Sequence, residues 1–237
     1  MLEAIGDNIW LVEGGIVSFY GFPYPTRAVI VRFGNGDLWI WSPVKLSEEL
    51  RREVDGLGRV AHLVSPNKIH HLFLGEWKDA YLEAKLWGPA STIAKRSDLP
   101  FEAALQDVPP EPWRPEIGQA WFRGSFAMDE IVFWHAASRT VVLADLIENF
   151  SDAFLHAHWS WWQRPLARLD GITEHHSRAP LEWRLSFTDR APARVARDKV
   201  LSWNAERVIM AHGEWQRHDG AAFLERSLSW LGPRAAQ

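Results

Sequence analysis

Apolar residues along this chain change their spacing several times, and each change marks an element. In "NIWLVEGG" (Asn8–Gly15) and "TRAVIVRFGNGDLWIWSP" (Thr26–Pro43), β-branched and aromatic residues crowd into short runs, as in strands. Asn35-Gly36 interrupts the second run with two residues that tolerate positive φ, which predicts a hairpin. Over "KLSEELRREVDGLG" (Lys45–Gly58) the apolar spacing becomes helical. Ser47 stands where a cap belongs, Glu48 and Glu49 suit the first turn, and Gly56 and Gly58 can end it. "RVAHLVSP" (Arg59–Pro66) reads as a short buried strand. "HHLFLGEWKDAYLEA" (His70–Ala84) follows as a helix with apolar positions 72, 73, 77, 80 and 81, and "KLWGP" as the next strand. That strand-helix-strand order implies a parallel pair with a right-handed crossover.

The proline-rich stretch "DVPPEPWRPEIG" (Asp107–Gly118) reads as a surface excursion. "EIVFWHAASRTVVLADL" (Glu130–Leu146) predicts a second hairpin, closing on a strand that ends at Asp145. Then come the helical segment "FSDAFLHAHWSWWQRPLARL" (Phe150–Leu169), the polar loop "TEHHSRAP" and the helix "PARVARDKVLSW". The strand "ERVIMAHG" (Glu206–Gly213) and a last helix, "AAFLERSLSWL", complete the order. Hairpins plus one parallel unit, with helices between, predict an α/β (α+β) architecture of two mixed sheets packed face to face and covered by helices.

Composition narrows the chemistry. A chain of 237 residues with 47% hydrophobic content suits one domain over residues 1–237. A formal charge of -4 with basic and acidic residues interspersed argues against a nucleic-acid partner. No apolar run approaches a membrane span and "MLEAIGDNIWLVEGG" lacks a targeting pattern, so the expectation is a cytoplasmic protein with no membrane partner. There is no cysteine, which leaves His, Asp, Glu and Asn as the only strong metal ligands. The 15 tryptophans are read as bulky packing ahead of a ring-stacking site.

In layered α/β folds, reacting groups collect on loops beyond the carboxyl ends of strands. Three strands here end in such groups: "AHLVSP" runs on to Asn67, His70 and His71, "TVVLAD" ends at Asp145 with Asn149 beyond, and "RVIMAHG" carries His212. Imidazole and carboxylate are the donors that a cysteine-free chain offers zinc, iron or manganese. A histidine at a helix start is also an ordinary packing or capping residue, and spacing alone leaves the two readings open. "HAHW" (His156–Trp159) sits in a helical segment where i and i+2 diverge. His175 and His176 lie in a polar loop and are read as solvated. Tyr24 and Arg27 in "GFPYPTR" are placed in a loop over the sheet edge.

With "SPNKIHH", "SRTVVLADLIEN" and "VIMAHGEW" in this order, the chain resembles the metallo-β-lactamase superfamily, and within it a branch described as a domain of unknown function. The resemblance spans nearly the whole chain and implies a four-layer αβ/βα sandwich with one or two metals at one sheet edge. The superfamily turn normally reads His-x-His-x-Asp-His. Aligned on its last histidine, Pro66 and Lys68 stand where the first metal's ligands belong, His70 replaces the aspartate, and His71 matches. The superfamily's third histidine normally lies before the hairpin that leads to the aspartate; between Gly124 and Asp145 the only histidine here is His135, inside the hairpin, so that ligand is absent as well. The resemblance leaves His70, His71, Asp145 and His212 as one metal set, with Asn67, Lys68, Glu76 and Asn149 as supporting partners. It implies a hydrolase-like protein with at most one divalent ion and a small-molecule substrate. The alternative is a catalytically silent member that binds a small molecule or protein, its polar cluster a remnant. An ammonium at Lys68 would repel a second cation.

Overall fold

The computed structural model describes residues 1–233. Strands β1 (Leu2–Gly6), β2 (Ile9–Phe19), β3 (Phe22–Arg32) and β4 (Asp37–Trp41) come first, then helix α1 (Glu48–Leu57), β5 (Arg59–Val64), α2 (Leu74–Ala80), β6 (Lys85–Trp87) and α3 (Ala90–Lys95). The second half holds β7 (Ile117–Phe122), β8 (Glu130–His135), β9 (Thr140–Leu143), α4 (Asp152–His158), α5 (Arg164–Asp170), α6 (Leu181–Leu185), α7 (Ala191–Ser202), β10 (Arg207–Met210) and α8 (Gly220–Ser227). Two mixed sheets result, ordered β1-β2-β3-β4-β5-β6 and β10-β9-β8-β7. The hairpin at Asn35-Gly36 and the parallel β5/β6 pair lie in the first sheet, and the strands leading to Asp145 and His212 lie side by side in the second, as the sequence predicts.

Strand alternation builds the layers, because a period of two sends successive side chains to opposite faces. In β3 and β4, Val29, Val31, Trp39 and Trp41 point between the sheets and meet Phe133 of β8, Val142 beside it and Ile209 of β10. Ala28, Ile30, Leu38 and Ile40 point outward, under Leu50 and Val54 of α1 and Leu74 and Trp77 of α2. On the other side, Val141, Leu143, Val208 and Met210 are covered by Ala193, Ala196 and Val200 of α7 and Phe223 and Leu224 of α8. Trp39, Trp41, Trp77 and Trp113 are all fully buried, so much of the tryptophan content is packing. A fully buried ring of this size contributes about 3–5 kcal/mol relative to alanine.

Three features depart from the sequence reading. The helix expected to open at His70 begins at Leu74, because the Asn67 Oδ1 accepts the N–H groups of Ile69 (3.0 Å) and His70 (3.3 Å) and holds 67–73 as a turn. "GFPYPTR" is strand rather than loop: β2 and β3 run on as a two-stranded ribbon that pairs Ile16 with Pro25 and Ser18 with Pro23. Because β4 pairs only with Val29–Arg32, the missing N–H groups of those prolines fall on a free edge. Strands β1 and β7 carry no strong pattern of their own, and the "EIG" assigned to the surface excursion leads into β7.

Candidate metal centre

The site lies where β5, β9 and β10 end. His70, Asp145 and His212 project there from the loops after these strands. His70 Nε2 lies 3.1 Å from Asp145 Oδ2 and His212 Nε2 lies 3.3 Å from Oδ1. Of the described residues, only two groups of three or more His, Asp or Glu side chains bring their donor atoms within 4.8 Å of one another, and this is the buried one.

Each member is held from behind. The His212 Nδ1 is 2.7 Å from the carbonyl oxygen of Pro25, which can only accept, so Nδ1 carries a proton and Nε2 is the atom left to face Asp145. The His70 Nδ1 pairs with the Ser42 hydroxyl at 2.8 Å. Ser42 itself sits at φ 47°, a left-handed conformation that costs a non-glycine residue about 1 kcal/mol or more and turns the chain out of β4 at the site. Asn67 Nδ2 donates both to Asp145 Oδ2 (2.7 Å) and to Glu130 Oε2 (2.9 Å). Glu130 in turn accepts the backbone N–H groups of Ala144 (2.8 Å) and Asp145 (2.9 Å), which fixes the segment carrying the aspartate.

The electrostatics follow from this packing. Burial disfavours the Asp145 carboxylate, yet the charge of His70 and hydrogen bonds from both rings hold its pKa far below the usual range. His70 is pushed down by burial but raised overall by the charge of Asp145 and its hydrogen bond. Glu130 is pushed up to about 7 by burial and by the charge of Asp145, against the three donors that its oxygens accept.

The donor set fits one divalent ion. One ligand atom from each of the three lies within 4.8 Å of the other two, with His70 nearer Oδ2 and His212 nearer Oδ1, and tetrahedral zinc spaces nitrogen and oxygen donors about 3.3–3.6 Å apart. Three protein donors leave a fourth position for a substrate or water, the arrangement of catalytic rather than structural zinc. Without an ion the His70 ring, its pKa raised by Asp145, can donate to that carboxylate as imidazolium, so loading an ion displaces a proton from its Nε2.

The remaining predicted residues separate. His71 lines the same cavity but does not join the cluster. Its ring and carbonyl turn to Arg96, with Nη1 at 3.5 Å from Nδ1 and 3.0 Å from the oxygen. Burial, then Lys95 and Arg96, lowers its pKa. Asn67, expected to orient an imidazole, instead donates to Asp145 and Glu130 and accepts the Ile69 and His70 backbone N–H groups. Lys68 lines the cavity, and its ammonium has no hydrogen bond or ion pair among the described residues. Glu76 is exposed on α2 and takes no part, because Leu74 and Trp77 form the buried face of that helix. Asn149 braces the His212 strand end instead of touching the imidazole: its N–H bonds the His212 carbonyl, and its amide bridges Glu214 and Ser177. Gly213 completes that brace. At φ +85° it passes so close that a Cβ would stand 2.1 Å from the Asn149 oxygen.

His135 is buried against Ser138, away from the site. His156 is exposed and pairs with Arg164. The second three-residue group, Asp152, Glu174 and His175, is largely exposed, and Asp152 is already paired to Arg168. Tyr24 and Arg27 both line the cavity. Arg27 is tied to Glu13 and the Met210 carbonyl, and the Tyr24 ring packs edge-on to His212 at 4.9 Å. Sequence reasoning missed Ser42, Glu130 and Glu148. The first two are ordinary strand-end residues until pairing brings them to the site, and Glu148 lies in a run, "LIENF", that reads as apolar.

The cluster forms part of the wall of a cavity of about 950 Å³, whose mouth carries the exposed rings of Tyr20 and Phe126. Among the described residues no helix is long and apolar enough to cross a membrane.

Residues 6–158 match the family described as a domain of unknown function, DUF4336. No curated protein matches. Among solved structures, the chain resembles the DIM-1 metallo-β-lactamase exposed to ceftazidime (16% identity, TM-score 0.64, covering 98% of this chain and 95% of that one). A metallo-β-lactamase from Pontibacter korlensis is similar (13% identity, TM-score 0.63, 98% of both chains). Rubredoxin oxygen:oxidoreductase from the anaerobe Desulfovibrio gigas aligns over 98% of this chain and 61% of its own (13% identity, TM-score 0.63). At such identities the likeness is one of fold. The chain belongs to the DUF4336 family and folds as a metallo-β-lactamase-like αβ/βα sandwich.

Proposed function

We propose that this protein is a metal-dependent hydrolase-like enzyme holding one divalent ion between His70, Asp145 and His212 and acting on a small molecule. The observation that carries the reading is the fixed His212 ring: with Nδ1 committed to the Pro25 carbonyl, Nε2 is presented beside Asp145 and His70 at ligand spacing. When bound, such an ion supplies Lewis acidity to an ester, amide, thioester or phosphoester oxygen and acidifies a water. The chain's own groups do the rest. Ser42, Pro25 and Asn67 orient the donors, Glu130 holds the Asp145 backbone, and the cavity walls exclude bulk water from the substrate. Lys68 lines the same cavity, and its positive charge there disfavours a second cation and with it a two-metal mechanism.

A second reading has one observation behind it. Asp145 is already met by both rings and by Asn67, so the network closes on itself as a stable ion-paired cluster without metal. That would make the protein a silent member of the fold that binds a ligand in the cavity. Protein purified without chelator should be analysed for metals and assayed on p-nitrophenyl esters and bis-p-nitrophenyl phosphate. Turnover abolished by chelator and restored by one equivalent of zinc, iron or manganese supports the enzyme. Metal-free protein without turnover supports the binding module.

A further inference from the structure

The cavity contains a carboxyl group that the metal cluster does not use. Glu148 follows Asp145 by three residues, is 2% exposed, and faces the cavity. Its sole side-chain hydrogen bond among the described residues is a long one, from the Tyr24 hydroxyl to Oε2 at 3.4 Å, and Oε1 accepts none. Oε1 is not among the buried atoms sealed without a partner; it opens to the cavity, where a donor or cation can reach it. Here the groups that act most strongly on it are burial itself and then Asp145, Asp170 and Glu182, all acidic, and together they push its pKa well up. Glu182 also lines the cavity. Asp145 is met by the rings of His70 and His212, whereas Glu148 has no such partner.

We infer that Glu148 is a recognition site for the ammonium group of a ligand whose apolar body fills the rest of the cavity. An ammonium offers three donors and a full positive charge, and it would relieve both the missing hydrogen bonds and the acidic potential around Glu148. Phe19, Phe73, Phe126, Met128 and Trp183 supply apolar lining for the body of the molecule. The free ammonium groups of Lys68 and Lys95 also line the cavity, but they come from the turn before α2 and from α3, and neither pairs with Glu148. Under the hydrolase reading, which this inference refines, the substrate class becomes an amine-bearing ester, amide or related acyl compound.

The test uses chelator-treated protein, so it does not depend on whether a metal binds. Binding of 4-phenylbutylammonium, 4-phenylbutan-1-ol and 4-phenylbutyrate is measured at pH 8 by calorimetry, on native protein and on Glu148→Gln. The three probes share one body and differ in charge. The ammonium should bind about tenfold or more tightly than the alcohol to native protein, as expected for a charged hydrogen bond. In Glu148→Gln the two should come within about twofold, with the alcohol's affinity unchanged. Equal binding of ammonium and alcohol to native protein overturns the inference whether or not the variant folds. So does an ammonium preference that survives in Glu148→Gln. Preferential binding of the carboxylate overturns it in favour of Lys68 and Lys95. Failure of any of these leaves the metal titration untouched.

Discussion

His62 and His135 are buried between the layers as neutral rings, and this makes the fold acid-labile in a measurable way. His62 accepts the Trp87 indole N–H at 3.1 Å and packs against Phe33 and Trp113, and desolvation lowers its pKa from 6.5 to about 4. Desolvation does the same to His135. A depressed pKa means that the unfolded ring takes up a proton, as pH falls through 6.5, which the folded ring refuses until about 4, so stability is lost over that window. Between pH 6.5 and 5 the loss is about 1.5 units at about 1.4 kcal/mol each, or about 2 kcal/mol per ring. His62→Gln keeps an acceptor for Trp87 without a titrating group. Urea unfolding in the presence of chelator at pH 7 and pH 5 should show the native protein losing about 2 kcal/mol more than the variant. Glu130 and Glu148, whose raised pKa values act with the opposite sign, contribute equally to both proteins and cancel in that difference. An identical pH dependence for native and variant would refute the reasoning.

Two substitutions probe the support of the centre. Gly213→Ala drives a Cβ into the Asn149 carbonyl at a positive φ, so it should cost about 3 kcal/mol or more in urea unfolding and loosen His212 enough to weaken zinc binding in calorimetry. Glu130→Gln keeps the volume but turns an acceptor into an NH₂ group facing one of three donors. It should cost about 1–3 kcal/mol and lower zinc affinity about 10–100-fold through the misplaced Asp145.

What the sequence made legible follows from how local each signal is. Alternating runs such as "AVIVRF" and "DLWIW" and the Asn35-Gly36 turn specify strands and a hairpin within a few residues, so the sheets were readable. Strand ends carry His70, Asp145 and His212 to one edge, which is why their convergence was readable. His71 entered the set by matching the last histidine of the superfamily turn, whereas the Asn67 side chain holds that turn in a different shape and the His71 ring faces Arg96. Glu130, Ser42 and the Pro25 carbonyl become partners of the site only through pairings far apart in sequence. Nothing in the residues near them records that.

The central claim is the number of ions and the residues that hold them. Zinc titration of chelator-stripped protein by calorimetry, on native, His71→Ala and His212→Ala chains, addresses both at once. One ion per native chain is predicted, with binding kept in His71→Ala, whose ring lies outside the cluster, and lost in His212→Ala. Two ions per native chain, no binding at all, or full binding in His212→Ala would contradict the account.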